Sequence, residues 1–521
     1  MLGRRNPQRS LFDASSQLDE AAIDQMGFYG KLSKKSHQFF QDDDFAAAYC
    51  LDNGRPSAPP SLLAVAHLLQ HFEGISDAEV IERTRYDLRW KLALDLDPLA
   101  VEAPFAKSTF QAFRARLTLH EQEGAAFERS VREACRAGLL PRKIRVALDS
   151  SPVRGRGAVK DTYNLLSDAI GAVLRGVAEA TSRPVRELAE GQDLARHVGS
   201  VSVKGSEMLD WSDPSEVSSF LARLLEDCDR VVRLAEEHSC AGDAVALLRK
   251  IREQDVEEGD DDPGGPGEGP RIRKGVAKGR TLSVSDPEIR HAHKSHGRLF
   301  AGYKAHVAVE TQSGVITAVG TSSASRSDGR EVESLLEQTA RSTKREIVGA
   351  LGDAAYSSRE ALRQAESQGV ELTTKMPGGR RGFFGPQDFH VSPKARRAVC
   401  PAGHTSAKRV SRKESWVHFW APERCGACAL REQCTRATRR SLSVPPDFHD
   451  RRRRERFARS RRGRRLLRQR VCVEHAIGRL KQRGAGQSRY LGTLKTHFQW
   501  LWTATAVNLS QIWSSEALAP A

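Results

Sequence analysis

The chain of 521 residues is short of several things, and each shortage excludes a class. No apolar run reaches the roughly 18 residues that cross a bilayer. The nearest, FQWLWTATAVNL at 498–509, is too short and predicts a buried helix. The opening MLGRRNPQRSLF has no apolar signal-peptide core. Cysteine is sparse, odd in number at nine, and unevenly spread, with four between 400 and 434. That is no disulfide framework, so a reducing cytoplasm is expected. Acid is in deficit: 66 Asp and Glu against 82 Lys and Arg leave a net charge of +16, with a pI near 9.6. A balance of that sign favours a polyanionic partner over a membrane surface. No internal repeat is visible, and the length exceeds what one core accommodates.

What is present divides the chain. Residues 1–140 carry apolar positions at helical spacing and predict a small helical bundle, a candidate DNA-binding domain of helix-turn-helix type. Within it, Ser76-Asp77-Ala78-Glu79 after Gly74 has the pattern of a helix start. KIRVALDS at 143–150 is a β-branched run ending at Asp149, a buried strand inside segment 141–162. Residues 163–256 return to helical spacing as an insertion. EEGDDDPGGPGEGP within 257–299 predicts a flexible acidic linker. Segment 300–380 supplies a hairpin around Ser313-Gly314, a helix at 330–343, a strand running into Asp353, a further helix and a last strand. A Cys-bearing insert occupies 381–450, and 451–521 begins with an Arg-rich run.

That run, RRRRERFARSRRGRRLLRQR at 451–470, holds 12 Arg and one Glu. The bland reading of such a run is a solvated face. Its position directly before a helix carrying one acid, Glu474, favours phosphate contact by Arg451, Arg452, Arg453, Arg454 and Arg470, since guanidinium pairs bidentately with phosphate oxygens. Lys481 falls on the same side of that helix as Glu474. Alone, Glu474 would be an ordinary helical acid paired with Arg470 four residues back. Three acids far apart in sequence, Asp149, Asp353 and Glu474, become a site only if a fold unites them. Three carboxylates suit two hard divalent cations, Mg²⁺ or Mn²⁺.

The stretches VALDSSPV, GYKAHVAVE, VGALGDAAYSS and VEHAIGRLKQRGAGQSRYLG resemble the bacterial insertion-sequence DDE transposases. The nearer likeness is to the subgroup with a helical N-terminal domain and a Cys-bearing segment before the final Glu. The spacing of Glu474, Gly478, Lys481, Arg489 and Gly492 is its most specific element. The resemblance implies an α+β, ribonuclease-H-like mixed-sheet core and a triad of Asp149, Asp353 and Glu474. It also implies metal-dependent cleavage of transposon ends with strand transfer into target DNA, by a homodimer acting on terminal inverted repeats. Tyr356 stands where the family has an aromatic after the second Asp, and Tyr303-Lys304 match its strand signature. Lys304 and Arg489 join the expected DNA contacts. The competing expectations are a nuclease of the same fold that cuts without joining, and an inactive, co-opted DNA-binding protein.

Two further clusters stand out. Cys400, Cys425, Cys428 and Cys434, with Cys-x-x-Cys at 425–428, could bind one structural Zn²⁺, with His404 able to replace one thiolate. The alternative is a set of buried free thiols. His291, His293 and His296, in RHAHKSHGR, predict a solvated or phosphate-contacting loop rather than a metal site.

Overall fold

The computed structural model describes residues 1–5, 19–50, 53–257, 269–295, 297–376, 382–392, 394 and 396–516. Most of the acidic linker, and His296, lie outside the described residues. None of the described helices is long and apolar enough to cross a membrane.

The centre is a mixed sheet. Its strands are β1 (Lys143–Arg154), β2 (Arg290–Ser295), β3 (Arg298–Glu310), β4 (Ile316–Ser323), β5 (Glu346–Gly352) and β6 (Leu372–Thr374). The spatial order is β4-β3-β1-β5-β6, with β2 continuing the sheet beside the first residues of β3. β1 runs antiparallel to β3 and parallel to β5, and β5 runs parallel to β6. The β3–β4 hairpin follows from alternation on either side of Ser313-Gly314, where Gly314 takes φ +72°.

Two expectations shift. β1 does not stop at Asp149 but continues to Arg154, because β3 is long enough to pair with Ser150 through Arg154. RHAHKS is a strand rather than a loop: it pairs with Arg298–Gly302, the stretch of β3 that β4 does not reach. His293 thereby joins the sheet.

Strand pleating separates two cores. Val146 and Leu148 face one way, onto helices Val332–Thr343 and Arg359–Ser367. Ala147 faces the other way, into a larger core. That core also holds Val473, Ala476 and Leu480 of helix Val471–Gln482, the C-terminal helix Thr493–Glu516 and the N-terminal helices. The C-terminal helix is apolar around most of its girth and lies buried, as FQWLWTATAVNL predicts. At about 1.5 Å per residue its 24 residues span some 36 Å, so it can back the sheet and the N-terminal bundle together.

Ser76 does start a helix, Asp77–Tyr86, through a reciprocal box with Glu79. Gly74 ends the preceding helix in the left-handed region. A Cβ there would sit 2.9 Å from the Arg483 carbonyl, so the N-terminal helices meet the segment after helix Val471–Gln482 at a point that favours glycine. The insertion at 163–256 is helical as expected and encloses a separate core. The Cys-bearing insert has only a small one.

Candidate active site

Sheet register brings the first two acids together. Ala147 pairs with Leu351 in the parallel β1–β5 ladder. Two residues beyond that last pair stand Asp149, within β1, and Asp353, the first residue after β5, and both line one groove. Pleating puts Asp149 on the same face as Ala147, the face covered by helix Val471–Gln482. On that helix Val473, Ala476 and Leu480 are buried, and the adjoining row of Glu474, Ile477 and Lys481 looks into an open groove. The groove, about 610 Å³, is lined by Asp149, Asp353 and Glu474 together with Ser150, Lys304 and Asp328. His293 and Phe300 form part of its wall.

The acids are held differently. Asp149 is largely buried, its carboxylate 18% exposed. Its Oδ1 accepts the Ser150 amide at 2.8 Å, and its Oδ2 lies 3.3 Å from Arg470 Nη2. Burial lifts this carboxyl to about 6; Arg470 and the Ser150 amide oppose the lift, while Asp353 and Glu474 add to it. Asp353 caps the turn Ala354–Ser357, its Oδ1 accepting the Ala355 amide at 2.8 Å. Glu474 is exposed on the groove side. Arg470 therefore reaches across to the strand rather than to Glu474 on its own helix.

Asp328 is a groove acid that sequence spacing did not single out. Its Oδ1 lies 2.6 Å from Lys304 Nζ, and its Oδ2 accepts the Ser150 hydroxyl at 2.8 Å. The Lys304 ammonium also donates to the Arg326 carbonyl at 2.8 Å. The expected DNA contact at Lys304 is thus a lysine fixed in the groove wall. Asp328 sits in a Ser-Asp-Gly turn, which reads as an ordinary loop; only the neighbouring strand gives it a partner. Tyr356 is fully buried behind the acids, and among the described residues its hydroxyl has no hydrogen-bond partner.

The remaining expected contacts scatter. Arg489 Nη1 donates to the Ile75 carbonyl, and its side chain lines a second groove of about 800 Å³ with Asp77, Arg114 and Arg156. The Arg run forms helices Phe448–Arg459 and Arg461–Arg468. In it Arg452 bonds the carbonyls of Phe389 and Gln387, Arg453 pairs with Asp450 at 2.6 Å, and Arg454 stands 3.9 Å from Asp447. Arg451, Arg461, Arg462, Arg464 and Arg465 are exposed.

Among the described residues, no three His, Cys, Asp or Glu side chains are drawn together as a ready metal site. The acids line a shared space without forming a closed shell. Their chemistry still fits a divalent cation: the donors are all oxygen, and the lifted Asp149 carboxyl marks a negative charge that its surroundings under-compensate.

An acidic floor beside a lysine fixed in its wall, at the central strands β1 and β5 of a mixed sheet, defines a class of oxygen-donor sites. The comparisons give that class a family. Residues 399–513 match a transposase DDE domain, and residues 20–116 match a transposase domain (DUF772). The two matches indicate an insertion-sequence DDE transposase. Glu474 lies inside the first match; Asp149 and Asp353 lie between the two. No curated protein and no solved structure matches the chain.

Proposed function

We propose that the chain cuts the ends of its own mobile element and joins them to target DNA, using Asp149, Asp353 and Glu474 as the acids of a ribonuclease-H-like core. The observation that carries this reading is that Asp149 on β1, Asp353 just past the neighbouring parallel strand β5, and Glu474 on helix Val471–Gln482 line one groove. The strand order, with β1, β3 and β4 successively antiparallel and β5 and β6 parallel to β1, supports the core assignment. Transposases act on DNA, and those of the DDE class generally use divalent metals. Mg²⁺ or Mn²⁺, two per site, would activate the attacking hydroxyl and neutralise the leaving oxygen.

The chain's own groups hold and orient the substrate. The three carboxylates provide oxygen donors at the groove floor. Lys304, fixed by Asp328, sets a positive charge beside the DNA backbone. Lys481, two turns beyond Glu474 in the same row, adds a second cation at the rim. The exposed Arg of 451–470 hold flanking phosphates and so position DNA more than they read its sequence. Two ends must be held at once, which favours a homodimer in the cytoplasm, on the nucleoid.

The test is cleavage of DNA carrying the element's inverted repeats by purified protein with Mg²⁺ or Mn²⁺. Asp149→Ala, Asp353→Ala and Glu474→Gln should each abolish cutting while leaving end binding intact. Parental rates in all three would sink the triad. A joined product made from a free 3′-hydroxyl donor separates a transposase from a nuclease that only cuts.

A further inference from the structure

The Cys-bearing insert has too little core for its size. Between Phe384 and Phe448 its elements include one short strand pair (His390–Val391 with Ala398–Val399), an isolated bridge from Val399 to Thr405, a three-stranded meander (Lys408–Arg412, Ser415–Phe419 and Ser441–Val444) and two helical turns. Its buried apolar cluster is Phe389, Val391, Ala398, Trp420, Leu442, Val444 and Phe448. Units this small and this poor in apolar burial are ordinarily stapled by a disulfide or a metal. All nine cysteines of the chain are free thiols, so no disulfide supplies the staple.

Against that small core lies a void of about 20 Å³, walled by Cys400, Cys425, Cys428 and Cys434. It has room for one small occupant. Water is a poor candidate, since it needs two to four polar partners and the surface accessible inside the void is almost wholly apolar. Short turns bring the four cysteines to the wall of this void. Cys400 opens a tight turn in which its amide takes the His404 carbonyl at 2.9 Å and the Gly403 amide takes the Cys400 carbonyl at 2.9 Å. Cys425 and Cys428 flank the end of the helical turn Pro422–Gly426, and Cys434 ends the turn Arg431–Cys434. Arg424, Arg431 and Arg440 also line the void. A dication held by four thiolates would carry two net negative charges, which the positive charge of these lining arginines opposes.

We propose that Cys400, Cys425, Cys428 and Cys434 bind one Zn²⁺ in this void, and that the ion is the insert's structural staple. Among the described residues the sulfurs do not stand as a closed ligand shell; closing it takes rotation about χ1, cysteine's only heavy-atom torsion. Tetrahedral thiolate coordination is the arrangement zinc prefers in closed, structural sites. His404 is left out. Its Nδ1 faces Arg424 at 3.4 Å, and its carbonyl accepts from the Trp420 indole at 2.7 Å, so it serves the turn rather than the ion. This proposal is independent of the acid groove and stands or falls without it.

The experiment uses the full chain, purified under reducing conditions without added metal. Elemental analysis should find one zinc per chain. Replacement by Co²⁺ should give the visible bands and near-ultraviolet charge transfer of a tetrahedral thiolate site. Cys425→Ser and Cys428→Ser should each lose the ion and expose the insert to limited proteolysis, whereas Cys50→Ser and Cys240→Ser keep it. Should the cysteine variants fail to fold, zinc release from the parent by a chelator, followed by proteolysis of the insert alone, gives the same answer. A folded, reduced parent with no zinc and no cobalt spectrum overturns the site. Full zinc retention in the Cys425→Ser/Cys428→Ser double variant does so too. Loss of zinc in His404→Ala with retention in Cys434→Ser overturns the ligand assignment.

Discussion

The join between the N-terminal helices and the C-terminal segment can be broken at one residue, Arg114. Its guanidinium donates to both Asp77 oxygens, at 3.1 and 2.8 Å, and to the Tyr490 hydroxyl at 2.7 Å, and it lies 4.4 Å from the Tyr490 ring centre. The side chains of Arg114 and Asp77 are 10% and 14% exposed, so screening by solvent is small. Arg114→Met leaves the Asp77 carboxylate buried with only the Gln70 and Gln111 amides, at 2.8 and 3.0 Å. Removing one partner of a buried pair costs about 3–5 kcal/mol. The retained amides, and the position of Asp77 in the first turn of its helix, favour the lower end. For a cooperative unit of this size that is a fall in Tm of several degrees. Asp77→Asn/Arg114→Met should recover part of the loss, because it also removes the stranded charge.

The pH dependence follows from the same pair. Burial pushes the Asp77 carboxyl up, but Arg114 and the two amides outweigh it and hold the group well below the usual range. A carboxyl depressed in the fold contributes stability that is full above its unfolded value near 3.9 and is lost as pH falls through the folded value. The difference in Tm between parent and Arg114→Met should therefore stay constant from about pH 8 to pH 5 and narrow below about pH 4. Thermal unfolding across that range is the assay. A single variant within about 1 °C of the parent at neutral pH, or a double variant worse than the single, refutes the argument.

Other consequences are simpler. Mg²⁺ should raise the Tm of the parent, by the equivalent of about 2.7 kcal/mol at a hundredfold excess over its dissociation constant, and should leave an Asp149→Asn/Asp353→Asn/Glu474→Gln chain unchanged; a thermal shift titration reads this. Changing Arg461, Arg462, Arg464 and Arg465 to Gln should flatten the dependence of log affinity on log salt by up to about 0.9 for each phosphate no longer neutralised. Arg452→Gln should instead loosen the insert, seen as earlier proteolysis, because its bonds go to the carbonyls of Phe389 and Gln387. Ser76→Ala should cost about 1 kcal/mol through loss of the cap.

Local physics was open to reading along the chain. Apolar spacing fixed the N-terminal helices, the helical insertion and the buried C-terminal helix. Alternation around Ser313-Gly314 marked the hairpin, and Ser76 to Glu79 marked a helix start. These signals lie within a few residues of each other, so they need no distant partner. The three acids were named from resemblance, since nothing local distinguishes Glu474 from any helical Glu. Their shared groove depends on strand register, a property of two segments some 200 residues apart in sequence.

Tertiary structure decided the rest. RHAHKS pairs as a strand because β3 offers an edge that β4 does not cover, and no local pattern announces a free edge. Asp328 matters because Ser150 and Lys304 come to it from other strands. Arg470 meets Asp149 instead of its helical neighbour Glu474, because the packed sheet places a buried carboxylate closer to it than the solvent-facing one. In each case the sequence supplied the charge, and only the packing of remote strands and helices supplied its partner.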